Sequence, residues 1–321
     1  MNNEYEEANV YVDEEVNKHK KKTSAYMDAV KFLVFISLLS NLPNFKDKFK
    51  ELTEKYRKDI NNLESKGYKG IEERYEVINL NNNGSIFKPN LALLITVLNK
   101  LKLDKTSSKT AEDLYIKYIN RFYDRAKKTI DKVEYLDRAE YLSKKVSLFD
   151  KVEKVIRYSN GSYYGIDSYT SMVYNTNLVN KGWQETIKRA RYNNTDLVYV
   201  YPHPYSCELC QQYQGKTLSI TGSTPGLITL EEAMEGGLKH PNCKHVLFET
   251  DRLQTDNSYS GAEWTEKYNA KQKKQALELK KSRLLNDRKI YKQLGDEASI
   301  DETNKKIRKL NDEIRVQKEL M

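Results

Sequence analysis

Apolar residues recur every three or four positions along most of this chain, which is the spacing of one face of an α-helix. The clearest amphipathic stretch covers residues 45–63. Its apolar stripe consists of Phe45, Phe49, Leu52, Tyr56, Ile60 and Leu63. Gly67 is expected to end this helix, and a preceding helix is predicted over residues 24–40, because Pro43 cannot continue it.

The middle of the chain keeps the helical spacing but contains turn signals. Residues 81–90 predict a loop, and residues 91–101 predict an apolar, buried helix. From Thr110 to Ile156 no proline or glycine interrupts the pattern, so one long helix and two packed helices both fit it. After a break at 159–162, Asp167 is expected to cap a further amphipathic helix.

After Asn194 the pattern changes to short β-branched and aromatic runs, which are typical of strands. Three strands are predicted, over Leu197–Tyr201, Gly215–Ile220 and His245–Thr250. Between the second and the third, Thr229 and Glu232 have capping-box spacing and are expected to open a short helix. Gly236 and Gly237 should end that helix, which makes this region a small α/β module with few apolar residues.

From Ala262 onwards the spacing is helical again and the charge density is high. Two series repeat every seven residues, Ala270, Leu277, Leu284, Tyr291 and then Ile300, Ile307, Ile314, Met321. Residues 295–299 separate the two series. This pattern predicts a helical hairpin or a coiled-coil pair.

Composition adds that the chain is polar and basic, with 31% charged residues and a net charge of +9. The most apolar run, Phe32–Leu39, is far shorter than the about 20 residues that a bilayer span needs, so no membrane span is expected. Residues 1–23 carry acids followed by lysines and are expected to form a frayed polar arm. More than half of the net charge lies after residue 261, where solvated helix faces explain it as well as nucleic acid does.

The residues with metal-binding chemistry lie close together in the α/β module. All three cysteines and three of the four histidines lie between residues 203 and 245. Cys207 and Cys210 form a C-x2-C pair, and His240, Cys243 and His245 follow. A thiolate pair completed by a further cysteine and a histidine is typical of a tetrahedral Zn²⁺ site, and an all-protein donor set indicates a structural role.

The spacing of these residues alone does not determine which histidine is the fourth ligand. If a strand starts at Cys243, then Cys243 and His245 point to the same face; if the chain turns at 240–242, His240 and Cys243 converge. His203 is a weaker candidate. The alternative of free thiols with surface histidines is disfavoured by the clustering, and a thioredoxin-like redox pair is disfavoured because a strand-like segment follows Cys210 instead of a helix.

Motifs for catalysis are missing from the sequence. It contains no phosphate-binding loop, no dinucleotide-binding G-x-G-x-x-G, no G-x-S-x-G and no H-E-x-x-H. A zinc nuclease would need a histidine base beside an acidic neighbour, and no Asp-His or Glu-His pair occurs. We therefore expect a non-enzymatic protein, with a metal-dependent nuclease or a toxin-type effector as the enzymatic alternative.

Three blocks between Tyr169 and Phe248 resemble the phage minor capsid, or head morphogenesis, proteins, the group that includes the Mu F-like proteins and minor capsid protein 2. The blocks are the helix 169–176 leading into 196–200, the segment 207–216 and the segment 237–245. The basic helix around Tyr268 is similar to the charged C-terminal helices of these proteins. The chain departs from the pattern at Asn175, where members often carry Arg.

The resemblance implies a structural virion protein that is assembled in the host cytoplasm. Implied partners are the portal, the major capsid protein and packaged double-stranded DNA, with multiple copies per virion. It also implies Cys210, Cys243 and His245 as the shared ligand core, because some relatives have a histidine in place of the second cysteine of the pair and lack the histidine of H-P-N-C. A DNA-binding or DNA-ejection protein of the same particle, acting through the basic helices, is the alternative.

The sequence thus predicts a mainly α protein with long amphipathic helices, a small zinc-stapled α/β module and a C-terminal helical hairpin. Its expected organisation is a polar N-terminal arm (1–23), a helical domain (24–160), a minor-capsid-like module with the Cys/His metal site (161–252) and the charged hairpin (253–321).

Overall fold

The computed structural model describes residues 2–77, 106–134, 137–154, 156–157 and 161–321. The helices in these ranges are α1 (Asn2–Leu39), α2 (Phe45–Val77), α3 (Thr106–Ile130), α4 (Arg138–Glu153), α5 (Ile166–Asn193), α6 (Glu208–Gln211), α7 (Leu230–Glu235), α8 (Ala262–Leu294) and α9 (Glu297–Glu319). The strands are β1 (Ile156–Arg157), β2 (Tyr163–Tyr164), β3 (Leu197–Val200), β4 (Thr217–Ser219) and β5 (Leu247–Glu249). The predicted mainly α class, with small sheets and a final helix pair, is confirmed.

Residues group into two compact units, each built from three separate stretches of chain. Unit 1 comprises Met1–His19, Asn62–Asp104 and Ser171–Tyr268, and unit 2 comprises Lys20–Asn61, Lys105–Thr170 and Asn269–Met321. The four consecutive segments predicted above differ in sequence composition and periodicity. That each of them is a domain stays a prediction. The predicted loop 81–90 and helix 91–101 lie outside the described residues.

The N-terminal segment 1–23 was expected to be a frayed arm, but it is helical from Asn2 and continuous with the helix predicted at 24–40. Ala8, Val12 and Val16 are buried in the core of unit 1. These three small apolar residues are four positions apart, so they lie on one face of the helix and pack in the core. The acidic residues between them hide this apolar stripe in the sequence. The end of α1 at Leu39, before Pro43, is as predicted.

Helix α2 also differs from prediction, because it continues through Gly67 to Val77. A Cβ atom at Gly67 would lie 1.9 Å from the hydroxyl of Tyr174, and one at Gly70 would lie 2.0 Å from the hydroxyl of Tyr11. The two glycines thus serve close packing within unit 1 and do not terminate the helix.

Unit 2 has a core of helix faces only. Between Thr110 and Ile156 the structure has two helices, α3 and α4, which resolves the two predicted possibilities. Asp167, expected as a cap, lies inside the first turn of α5, where its carboxylate accepts the backbone N–H of Ser168 at 2.8 Å. In α9 every buried position follows a three-four repeat, at Ile300, Thr303, Ile307, Leu310, Ile314 and Gln317.

Unit 1 contains the three-stranded sheet, with order β4-β3-β5 and both pairs antiparallel. The three strands coincide with the three predicted runs. The capping box is present as predicted, since the Thr229 hydroxyl accepts from the Glu232 N–H at 3.1 Å and the Glu232 carboxylate accepts from the Thr229 N–H at 2.8 Å. This α/β module positions the Cys/His residues.

In the part of the chain that the structure describes, no helix combines the length and the apolar character that crossing a membrane requires.

Candidate metal centre

The C-x2-C pair lies on a tight turn that follows β3. Cys207 is the N-cap residue of the short helix α6, and its carbonyl accepts the N–H groups of Cys210 and Gln211, both at 3.0 Å. This turn places the two thiols on one side of the helix start. Cys210 is buried, whereas Cys207 is partly exposed.

The second group of donors lies on a turn that leads into β5. Lys239 and Asn242 have positive φ angles of 64° and 71°, and the N–H of Cys243 donates to the carbonyl of His240 at 2.9 Å. The turn at 240–242 brings His240 to the cysteines, as one of the two predicted geometries requires. The other, with a strand starting at Cys243, is wrong, because β5 begins at Leu247, but the Nδ1 of His245 still lies 3.4 Å from the Sγ of Cys243.

Five donors converge in two overlapping groups of three. Cys207, Cys210 and His240 form one group, and Cys210, Cys243 and His245 form the other, with the ligand atoms of each group within 4.8 Å of one another. The Sγ atoms of Cys210 and Cys243 are 3.7 Å apart, and the Sγ of Cys207 is 3.0 Å from the Nε2 of His240. His203, the weaker candidate, belongs to neither group among the described residues.

Each imidazole has its outer nitrogen next to a carbonyl oxygen and its inner nitrogen next to a thiol. In His240 the Nδ1 lies 2.8 Å from the carbonyl of Pro241. In His245 the Nε2 lies 2.9 Å from the Oε1 of Gln214, and the Nδ1 lies 3.4 Å from the Sγ of Cys243. Hydrogen bonding at the far nitrogen is how metal-ligating histidines are usually oriented.

Hydrogen bonds among the donors favour the thiolate form at two of the three cysteines. The bond with Cys210, and then the bond with His240, lower the pKa of Cys207 to about 4. The bond with Cys210 also holds the pKa of Cys243 well below its usual range. The hydrogen bonds with Cys207 and Cys243 in turn raise the pKa of Cys210. Thiolates are the form that binds metal, and a bound metal ion would displace the remaining thiol proton.

Helix α5 holds the second donor segment through its main-chain carbonyls. The side-chain N–H of Asn175 donates to the carbonyl of Cys243 at 3.0 Å, and the indole N–H of Trp183 donates to that of His245 at 2.9 Å. The hydroxyl of Thr186 donates to the carbonyl of Leu247 at 2.6 Å. The first and third sequence blocks, 169–176 and 237–245, are thus in direct contact, and the partner of Asn175 is the carbonyl of Cys243.

The N-terminal helix α1 contributes Asp13 to the surroundings of the site. Its carboxylate pairs with the ammonium of Lys244, which lies between two donors in sequence, and is 3.9 Å from the Nε2 of His203. Sequence reasoning missed Asp13, Gln214 and the donors of α5. Gln214 lies within the block 207–216, but its role depends on partners that are distant in sequence.

The donor set fits zinc. Three thiol sulfurs and two imidazole nitrogens are the ligand types that tetrahedral zinc prefers. Every donor is a protein group, and four of them suffice to fill a tetrahedron. This arrangement can connect two turns of a small module, which is the chemistry of a structural site.

The model of the family described as phage minor capsid protein 2 matches residues 145–317 of the chain. The match covers more than half of the chain and includes the sheet, all five donors and most of the C-terminal helix pair. Neither the curated proteins nor the solved structures provide a match.

Proposed function

The chain belongs to the phage minor capsid protein 2 family, and on this basis we propose that it is a non-enzymatic head protein with one structural Zn²⁺ ion per chain. Its family assigns it to the virion and to a structural capsid role. The proposal adds the zinc ion and an association with the portal or the capsid interior, with assembly in the host cytoplasm.

The convergence of five Cys and His donors from two turns supports the zinc site. A metal bound only in the folded state adds its binding free energy to that of folding. Cys210 and Cys243 come from the two turns and would connect them through the metal.

The zinc site is tested by elemental analysis of the purified full chain. We expect about one zinc per chain, and loss of zinc in Cys243→Ser, because this variant removes a buried sulfur from the group of Cys210, Cys243 and His245. Glu208→Gln is the matched control, since Glu208 lies between the paired cysteines but is exposed. A folded wild-type protein without bound metal would contradict the proposal.

Association with the portal or the inner capsid surface is tested by crosslinking in assembled heads followed by mass spectrometry. Crosslinks from this chain to the portal or to the inner face of the major capsid protein are expected. Crosslinks confined to tail proteins, or absence of the chain from purified particles, would contradict the association.

DNA binding is a second candidate function, favoured by the basic charge of the last helix pair. Lysine and arginine contacts to phosphate weaken steeply as salt rises, because binding releases counterions. We expect affinity for double-stranded DNA that falls between low and moderate salt if this function holds. Absence of binding at low salt would exclude it, and cleavage of DNA in the presence of added metal would favour the nuclease alternative.

A further inference from the structure

We propose that Gln214 selects the tautomer of His245, so that the Nδ1 of His245 is the imidazole ligand of the metal. The inference rests on the zinc site of the proposed function and extends it in two ways. It assigns the histidine that the sequence left open, and it identifies a positioning residue outside the set of Cys and His donors.

The side-chain amide of Gln214 has its orientation fixed by partners on both sides. Gln214 is 2% exposed. Its Nε2 donates to the carbonyl of Tyr259 at 2.5 Å, and its Oε1 accepts the N–H of His203 at 3.1 Å. A flipped amide would place its oxygen against the Tyr259 carbonyl and its NH₂ group against the His203 N–H, so both hydrogen bonds would be lost.

The fixed amide determines where the proton of His245 lies. The Oε1 of Gln214 can only accept, and it is 2.9 Å from the Nε2 of His245. A neutral imidazole has one N–H group, so that proton is on Nε2 and the lone pair is on Nδ1. The Nδ1 faces the thiol group of Cys243 at 3.4 Å and is available to a metal held by the cysteines.

His245 is better supported than His240. His245 is 3% exposed, its carbonyl is bonded by Trp183 and its ring is bonded by Gln214. His240 is partly exposed, and the outer nitrogen of its ring contacts only the neighbouring Pro241 among the partners described for it. Since Gln214 follows the C-x2-C turn, it connects the first donor pair to the second donor segment.

Zinc affinity, measured by competition with a chromophoric chelator on the full chain, provides the first test. Gln214→Ala is expected to weaken zinc binding about 10–100-fold, the usual effect of removing a partner that orients a ligand. The control is Gln212→Ala, because Gln212 is exposed and its side chain donates to the main-chain carbonyls of Leu209 and Gly236 at 3.1 and 3.3 Å instead of to a Cys or His side chain.

A ligand replacement distinguishes positioning from general support of the fold. In His245→Cys the ligand is a thiolate, which has no tautomers. Gln214→Ala in that background should leave zinc affinity unchanged. An equal loss in both backgrounds would mean that Gln214 acts through folding, and it would overturn the inference.

Long-range ¹H–¹⁵N spectra of the zinc-loaded wild-type chain provide the direct readout. We expect His245 to be protonated at Nε2, with the Nδ1 resonance shifted by the metal. A metal-shifted Nε2, or a His245 without any metal shift, would overturn the inference while the zinc site itself stands. A wild-type chain that binds no zinc would instead overturn the proposed function and with it the ligand assignment.

Discussion

Lys31 in α1 lies in a cluster of charges buried in unit 2. Its ammonium is within hydrogen-bond distance of Asp150 at 2.6 Å and of Asp287 at 2.5 Å, and the side chain is 3% exposed. Burial opposes its charge, but Asp287, Glu153 and Asp150 outweigh that effect and raise the pKa of Lys31. Burial also raises the pKa of Glu153 to about 8 and that of Asp28 to about 6. Among the described residues of unit 2, the carboxyl side chains of Glu153, Asp167 and Asp287 are buried, and the buried cation is Lys31.

The stability of the protein should depend on pH through Glu153. Burial on folding raises the pKa of this carboxyl from its ordinary value of 4.5 to about 8, so folding takes up a proton between these values. The free energy of unfolding should therefore fall as pH rises through this window, by up to about 1.4 kcal/mol per pH unit from this group. Glu153→Gln should lack this component in denaturant titrations between about pH 5 and pH 8.

Glu140 in α4 provides the matched control for this comparison, because it is exposed and paired with Lys144 on the surface. Glu140→Gln should follow the wild-type pH dependence. Parallel pH curves for wild type and Glu153→Gln would show that Glu153 does not take up a proton on folding.

Gly67→Ala should destabilise the protein although alanine is the better helix former. The new Cβ would lie 1.9 Å from the Tyr174 hydroxyl, and overpacking of this kind costs about 1–3 kcal/mol. The Tyr174 hydroxyl is buried and has no hydrogen-bond partner among the described residues. Tyr174→Phe removes the clashing oxygen, so the double variant should unfold near the wild-type temperature. Equal destabilisation of the single and double variants would contradict this account.

At the scale of elements, the first or last residue of a helix could be predicted where the residues that determine it are close together in sequence. Thr229 and Glu232 cap each other, and the start of α7 follows from them alone. The end of α2 was predicted wrongly because the partner of Gly67 is Tyr174, on another helix. The spacing of the donors could not separate His240 from His245 for a similar reason, because the proposed distinction rests on the hydrogen bonds of Gln214 to His203, Tyr259 and His245.

The loop after β4 is an element that depends on a single buried carboxylate. Asp196 precedes β3, and its carboxylate accepts a hydrogen bond from the hydroxyl of Ser219. It also accepts from the N–H and the hydroxyl of Thr221 at 2.9 and 2.6 Å. The N–H and the hydroxyl of Thr224 donate to it at 3.2 and 2.9 Å. Asp196→Ala would leave these donors without their acceptor and should lower the free energy of unfolding by about 3 kcal/mol. Chemical denaturation measures the change.

The control for this experiment is Asp251→Ala, because Asp251 is exposed and contacts its neighbour Arg252. We expect a change within about 0.5 kcal/mol for that variant. If Asp196→Ala were equally mild, the loop would be held by other contacts.

At the scale of the whole molecule, metal removal should affect unit 1 selectively. Buried residues of β3, β4 and β5 share one apolar cluster with Cys210 and Cys243, so a chelator should increase amide hydrogen exchange in the sheet. The amides of α3 and α4, which belong to unit 2 and contribute to its separate apolar core, should keep their protection. Exchange that rises equally in both units, or in neither, would contradict a structural metal confined to unit 1.

Helix α5 bonds the donor segment at the main-chain oxygens of Cys243, His245 and Leu247. Every amino acid carries such an oxygen, so a new side chain at position 245 leaves the attachment intact. Evolution can therefore exchange imidazole for thiolate at the proposed metal site without losing these main-chain hydrogen bonds. Substitutions should be tolerated less well at Asn175, Trp183 and Thr186, because their side chains donate these hydrogen bonds. None of the three is among the proposed metal ligands.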